Sequence, residues 1–507
     1  MQSFAAVLFL TLPWLNPFSP GPTPAVIPWL VSVACFALFL LEAPRLDVAR
    51  VAPTAWLAAA LLSSAIGLLQ YFGAADALSP WVNQTAVGEA YANLRQRNQF
   101  ATLINLGMAA LLWGFGRRAG PGTVWPLAGA VLLSVGNAAS SSRTGLVQLL
   151  VLAALASLWQ RRSQARCPAA QHALLGIALL SYAVAAVALP LLAGLDPLTS
   201  GILARLHDGG PNCSNRLTLW SNVLHLIAQK PWSGWGWSEL DYAHFITLYP
   251  GPRFCEILDN AHNLPLHLAV ELGLPLAIVT CVGLGWAVWR ARPWDEVDPA
   301  RRMAWAVLGV IAVHSLLEYP LWYGPFQIAL VLCLWLLWRR GRAPSEPFLR
   351  FARWAPYLSV FTASVLLAFA LYSGVDYRRI SQLYLDPPQR LQAYRVNTLE
   401  KVSDSRLFRD PVNFAKLTIT DLTLDNAADI HALAAEMLHF SPEPRVIEKL
   451  IESATLLGYP DEALFYLQRY QAAFALAHAQ WAQENAKPMD AKAQDLPRLD
   501  RPDMAAQ

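Results

Sequence analysis

Long apolar runs separated by short polar links fill the first three quarters of the chain, and their lengths match the thickness of a bilayer. About 20 mostly apolar residues are needed for a helix to cross the hydrocarbon layer. By that measure the pattern predicts about eleven spans: 3–17, 23–41, 54–72, 99–116, 123–139, 144–160, 172–193, 264–290, 303–317, 320–338 and 354–373. The first contains Pro13, and only Glu318 and Tyr319 separate the ninth from the tenth. The run 4–15 has no basic residue ahead of it and no small-residue cleavage site after it, so it reads as a span and not a cleaved signal.

After residue 374 the pattern turns polar, with interrupted helical periodicity in "DIHALAAEMLHF", "EPRVIEKLIESATLLGYP" and "DEALFYLQRYQAAFALAHAQ". Helical pairs with a Gly-Tyr-Pro break resemble tetratricopeptide-like repeats, without a clean period. The expected fold is an all-α polytopic membrane protein with a membrane domain at 1–373, a helical domain at 374–484 and a disordered tail at 485–507. Composition agrees: 55% of the 507 residues are hydrophobic and only 14% charged, which excludes an ordinary soluble globule. A formal charge of +3 is too small to suggest a nucleic-acid partner.

Where the cations fall carries more than their sum. Arg45 and Arg50, then Arg117 and Arg118, then Arg161, Arg162 and Arg166 mark three alternate links. Arg290, Arg292, Arg301 and Arg302, followed by Arg339, Arg340, Arg342, Arg350 and Arg353, mark two more. Cytoplasmic loops concentrate such residues, so the amino terminus is expected inside, with the loop 194–263 and the chain after 374 outside. Outward loops normally avoid arginine, yet Arg97, Arg143, Arg205, Arg216 and Arg253 all fall there. An anion at the outer surface would offset that bias, as would lipid headgroups or pairing with Glu89, Asp208 and Glu239.

Within the large loop, Leu219, Val223, Leu226 and Ile227 recur at helical spacing, the pattern of a helix lying along the membrane interface. The following "WSGWGWSEL" holds Trp232, Trp235 and Trp237, which suit interfacial anchoring or stacking on sugar faces. Cys213 and Cys255 bracket the helix on the oxidising side, where a disulfide would close the loop. Cys167 is expected in a cytoplasmic loop.

The stretch "DNAHNLPLHLAVELGLP" at 259–275 stands out. It opens with Asp259, Asn260, His262 and Asn263, then carries His267 and Glu271 along one helix face into an apolar run. Ionisable groups in a span cost about 2.5–3.5 kcal/mol each and normally face water or a partner. His314 and Glu318 repeat the four-residue spacing. For His267 and His314 the competing explanation is a structural hydrogen bond between helices. His262 lies at the outer boundary, where water and a large polar substrate could reach it. A neutral imidazole there, beside arginines suited to phosphate oxygens, could take a proton from a hydroxyl while an anionic leaving group is held.

The runs "HNLPLHLAVELGLP" and "RLTLWSNVLHLIAQKPWSGWGW" resemble the signature of the O-antigen ligase superfamily. "RQRNQFATL", "SSSRTG" and "HSLLEYPLWY" are similar to its protein-directed branch, the pilin-type O-oligosaccharyltransferases. The likeness covers roughly residues 90–330. It implies a bacterial inner-membrane enzyme whose periplasmic site moves glycan en bloc from an undecaprenyl-diphosphate carrier to a Ser or Thr of a periplasmic or pilus protein. It also implies His262 as the essential histidine, with Arg143 and Arg216, and more loosely Arg97, Arg205 and Arg253, on the diphosphate. Asn260, Asn263, His267, Glu271, His314 and Glu318 would be supporting polar groups. The diphosphate is already a good leaving group, so neither cofactor nor metal is demanded. O-antigen ligases acting on lipid A core and O-antigen polymerases share carrier and chemistry. A lipid-linked glycan transporter would use polar span residues without making a glycosidic bond.

Overall fold

The computed structural model describes residues 2–115, 124–162, 168–207, 213–340 and 346–486. Arg117, Arg118, Arg166, Cys167, Asp208, Arg342 and the tail from 487 lie outside them. Every regular element among the described residues is helical. Among the described residues, six helices are long and apolar enough to cross a bilayer: Val26–Arg45, Val48–Tyr71, Arg143–Gln160, Gln171–Leu192, Leu274–Asp295 and Trp354–Tyr384. Phe4–Leu15, Trp125–Ala139 and Gly324–Arg339 are shorter apolar helices. The apolar stretch 99–116 forms Arg97–Ala109, continued by a π-helical turn at Ala110–Phe115, and 303–317 falls in Pro299–Ser315.

The bundle is densely packed inside, around Trp56, Phe100, Leu103 and Trp159. Outside it is greasy. On Leu274–Ala291, Ile278, Val279, Val282 and Trp286 are each more than half exposed, the surface expected of a helix long and apolar enough to face lipid.

The expected continuous span 264–290 is instead two helices, Leu264–Leu272 and Leu274–Ala291, broken at Gly273. The break exists because the tryptophan loop docks on it: Trp235 N donates to Val270 O at 2.9 Å, Gly236 N to Glu271 O at 3.0 Å and Leu274 N to Pro231 O at 2.8 Å. Gly273 has φ +84°, and a Cβ there would lie 2.2 Å from Trp232 O. Backbone cannot yield as a side chain can, so only glycine fits. Gly273→Ala is expected to cost about 1–3 kcal/mol or more and to lower the unfolding temperature of the detergent-solubilised protein, read by tryptophan fluorescence.

A second expectation is also revised. The apolar stripe of Arg216–Gln229 does not lie open to the interface: Leu219, Val223, Leu226 and Ile227 are buried among Phe254, Leu258, Ala261 and Val270. The loop folds back over the helix, so the stripe finds protein before lipid. The structure joins Cys213 to Cys255, with Cα atoms 5.3 Å apart. Of the three tryptophans, Trp235 donates to Leu226 O at 3.0 Å and lies under Lys230, whereas Trp232 and Trp237 are exposed.

The last apolar helix, Glu346–Ile380, runs beyond residue 373. After it, Arg409–Ile419, Ala427–Phe440, Pro444–Leu456, Pro460–Ala473 and Ala475–Ala486 pack around Leu417, Met437, Val446, Ile447 and Leu450. This unit docks on the loop helix Leu240–Ile246. Phe245 enters its core, Tyr242 stacks on His439 at 3.8 Å, His439 Nδ1 lies 2.7 Å from Glu239, and Arg469 donates to Ile246 O at 2.7 Å.

Candidate active site

The turn before Leu264–Leu272 is held from three sides. Asn263 caps the helix, accepting from Leu266 N at 3.1 Å, and its amide donates to Leu316 O at 3.1 Å. Trp220 Nε1 donates to Ala261 O at 3.1 Å. His262 sits at φ +48°, a left-handed conformation uncommon for this residue type, and its N–H donates to Asn260 Oδ1 at 2.8 Å. Strain of this kind persists only where neighbours over-determine it, and here they present the imidazole at a half-buried position.

The imidazole meets Glu318, which lies in the short link between Pro299–Ser315 and Gly324–Arg340. His262 Nδ1 is 2.7 Å from Glu318 Oε2. With an ionised carboxylate as partner Nδ1 carries the proton, leaving the Nε2 lone pair free to accept one. Arg216 and Asn98 donate to the other carboxylate oxygen, Oε1, the latter at 3.1 Å. Burial alone would push the Glu318 carboxyl up, but the hydrogen bond from His262 and the charge of Arg216 hold it below the usual carboxylate range.

Arg216 also borders a cleft of about 800 Å³ that Arg97, Arg143 and Arg205 line with it. Arg97, Arg143 and Arg216 are each the first residue of a helix: Arg97–Ala109, Arg143–Arg162 and Arg216–Gln229. A cation at a helix N-terminus opposes the helix dipole. Three such termini in one cleft make a costly concentration of positive potential that a bound anion would relieve. Among them, Arg205 has its pKa lowered from the usual arginine value, first by burial and then by the charges of Arg97, Arg143 and Arg216. Glu89 partly compensates, accepting from Arg97 at 2.8 Å, and Arg205 donates to Ser141 O at 3.3 Å.

Other expected residues fall elsewhere. Arg253 is set apart from the cleft: it donates to His244 O at 2.8 Å and Thr247 O at 2.9 Å, bracing the loop. His314 is buried with Nδ1 2.9 Å from Thr102 Oγ1. His267 is buried 3.4 Å from Glu271, edge-on to Trp322 at 4.9 Å, and Glu271 also accepts from Ser238 N at 3.1 Å. Asp259 is pushed up by burial, with His262 opposing. The carboxylate that orients His262 is therefore Glu318, placed in the sequence only among supporting groups. Asn98, Ser142 and Tyr319, whose ring lies 5.2 Å from His262, are further members of this neighbourhood. Each lies in a segment similar to the protein-directed branch, but nothing in sequence ties Asn98 to a carboxylate 220 residues away.

Three segments match known families. Residues 128–281 match the family described as O-antigen ligase, 90–113 the protein glycosylation ligase family, and 302–488 the C-terminal part of virulence factor membrane-bound polymerases. The general O-oligosaccharyltransferase of Acinetobacter baylyi (strain ATCC 33305 / BD413 / ADP1) is 25% identical over 420 residues, covering 78% of this chain and 69% of its own.

Proposed function

We propose that this chain, which these matches set beside the O-antigen ligases and the protein glycosylation ligases, is an O-linked oligosaccharyltransferase of the bacterial inner membrane. It moves glycan en bloc from undecaprenyl diphosphate to a Ser or Thr hydroxyl of a periplasmic or pilus protein. The reading takes residues 1–373 as the membrane-embedded transferase and 374–484 as a periplasmic helical domain. It counts about eleven spans and takes the amino terminus as inside, on the side of the arginine-rich links.

In the proposed reaction, His262 Nε2 takes the proton of the acceptor hydroxyl. The freed oxygen bonds to the anomeric carbon as the bond from that carbon to the diphosphate oxygen breaks, with inversion. Undecaprenyl diphosphate leaves with the electron pair, its charge held by Arg97, Arg143, Arg205 and Arg216. One observation carries this reading: Glu318 grips both His262 and Arg216, so the proton acceptor and the cationic cleft are built as one unit.

The match of 302–488 to a polymerase family favours a second reading, in which the acceptor hydroxyl belongs to a sugar. Purified protein supplied with an undecaprenyl-diphosphate-linked oligosaccharide separates the two. Glycan is expected on a pilin acceptor, detected by mass shift, and not on lipid A core or on a second glycan. Transfer to either sugar acceptor but not to pilin would overturn the protein-directed reading.

A further inference from the structure

We propose that Asn98 is a positioning residue for glycan transfer: its side-chain amide clamps the Glu318 carboxylate so that one oxygen stays turned toward His262. The proposal rests on the transferase reading above. Asn98 is the second residue of Arg97–Ala109, and Nδ2 donates to Glu318 Oε1 at 3.1 Å while Oδ1 accepts from Ser142 Oγ at 2.6 Å.

The hydrogen-bond inventory fixes which way this amide points. Ser142 Oγ accepts from Gly145 N at 3.0 Å, capping the helix that begins at Arg143, and its single proton goes to Asn98. An ionised Glu318 can only accept, so the NH2 group must face it, and the Asn98 oxygen takes the Ser142 proton. An asparagine is the one short side chain that supplies an acceptor on one arm and a donor on the other. Aspartate would offer Glu318 a second acceptor.

The backbone around Asn98 is tied to the same elements. Asn98 O accepts from Thr102 Oγ1 at 2.8 Å, and that hydroxyl lies 2.9 Å from His314 Nδ1. His314 O accepts from Glu318 N at 2.7 Å. Asn98 thus links the arginine-bearing turn at Ser142 to the carboxylate that orients the histidine. With Asn98 and Arg216 both on Oε1, Oε2 is committed to His262. Without the amide Arg216 alone holds Oε1, and the carboxylate is fixed less firmly toward the Nδ1 proton.

The test uses full-length wild type, Asn98→Ala and Asn98→Asp in lipid nanodiscs. The probes are an undecaprenyl-diphosphate-linked oligosaccharide and a serine-containing pilin peptide, with rates taken from about pH 3 to about pH 9. Asn98→Ala is expected to lower kcat about 10- to 100-fold, as for loss of a hydrogen bond to a charged group, with donor KM within about twofold because the arginines are untouched. The acid limb of the rate profile should move to higher pH, since the active form needs Glu318 ionised. His262, Arg216, His314, Asp259, Tyr319 and Tyr323 are the other charged or titratable groups that interact with that carboxylate, and all remain. Asn98→Asp should move the limb further, because two adjacent carboxylates resist ionising together, and its rate should recover toward alkaline pH. A purely structural role would lower the amount of folded protein and leave the limb in place. Superimposable profiles for both variants would overturn the proposal. Wild-type protein inert toward every acceptor would overturn the transferase reading, and the positioning role with it.

Discussion

Replacing His262 with alanine is expected to reduce glycan transfer by about 10²–10⁴-fold, the range a positioned general base supplies, while the protein stays folded in the membrane. The loss should be large because no neighbour can substitute: Glu318 already accepts from Arg216, Asn98 and the imidazole itself. The fold should survive because Glu318 keeps the first two of those partners, so no buried charge is left alone. His262 is also only half-buried, so little packing is lost. Initial rates at saturating donor, beside a thermal melt of the same preparation, make the measurement. A variant that melts like wild type and transfers within about tenfold of it would remove His262 as the base.

Arg216→Ala is the second large effect, expected at about 10²–10³-fold in kcat with a raised KM for the lipid-linked donor. This guanidinium serves two anions. It grips the Glu318 carboxylate and it borders the cleft lined by Arg97, Arg143 and Arg205. Removing it weakens the hold on the leaving diphosphate and also strips Glu318 of one influence keeping it ionised, so the residual rate should begin to fall at a higher pH. Arg216→Lys restores the charge but not a planar fork able to donate in two directions at once, and should recover only a small part of the rate. Full recovery by lysine would mean that a point charge is enough and that the bridging geometry is irrelevant.

Much of the fold was legible because a bilayer enforces a simple length code. The apolar runs expected at 23–41, 54–72 and 172–193 became the helices Val26–Glu42, Val48–Tyr71 and Pro168–Leu192. The break at Gly273 was not legible, since hydropathy runs straight through "ELGLPL" and the cause is a tryptophan loop some forty residues earlier in the chain, docked on the backbone there. The buried stripe of Arg216–Gln229 was misjudged for a similar reason: periodicity reveals an apolar face but not what covers it. For the site, arginines in loops expected to face outward were a usable signal because they depart from a composition rule, and the structure gathers four of the five in one cleft. Arg253 carried the same signal and serves backbone carbonyls instead. The role of Glu318 was hidden, since its three partners come from positions 98, 216 and 262, and no local pattern announces such a meeting.

The grip of the helical tail on Leu240–Ile246 imposes an order on biogenesis. Glu239 and Ile246 are synthesised 200 and 223 residues before His439 and Arg469, which secure them. Both lie between Arg216 and His262 in the chain. A nascent polypeptide can thus hold every membrane helix and every ionisable member of the cluster while still lacking the brace on the segment that connects them. The brace on the segment between Arg216 and His262 therefore closes only after the carboxy-terminal helices have been made.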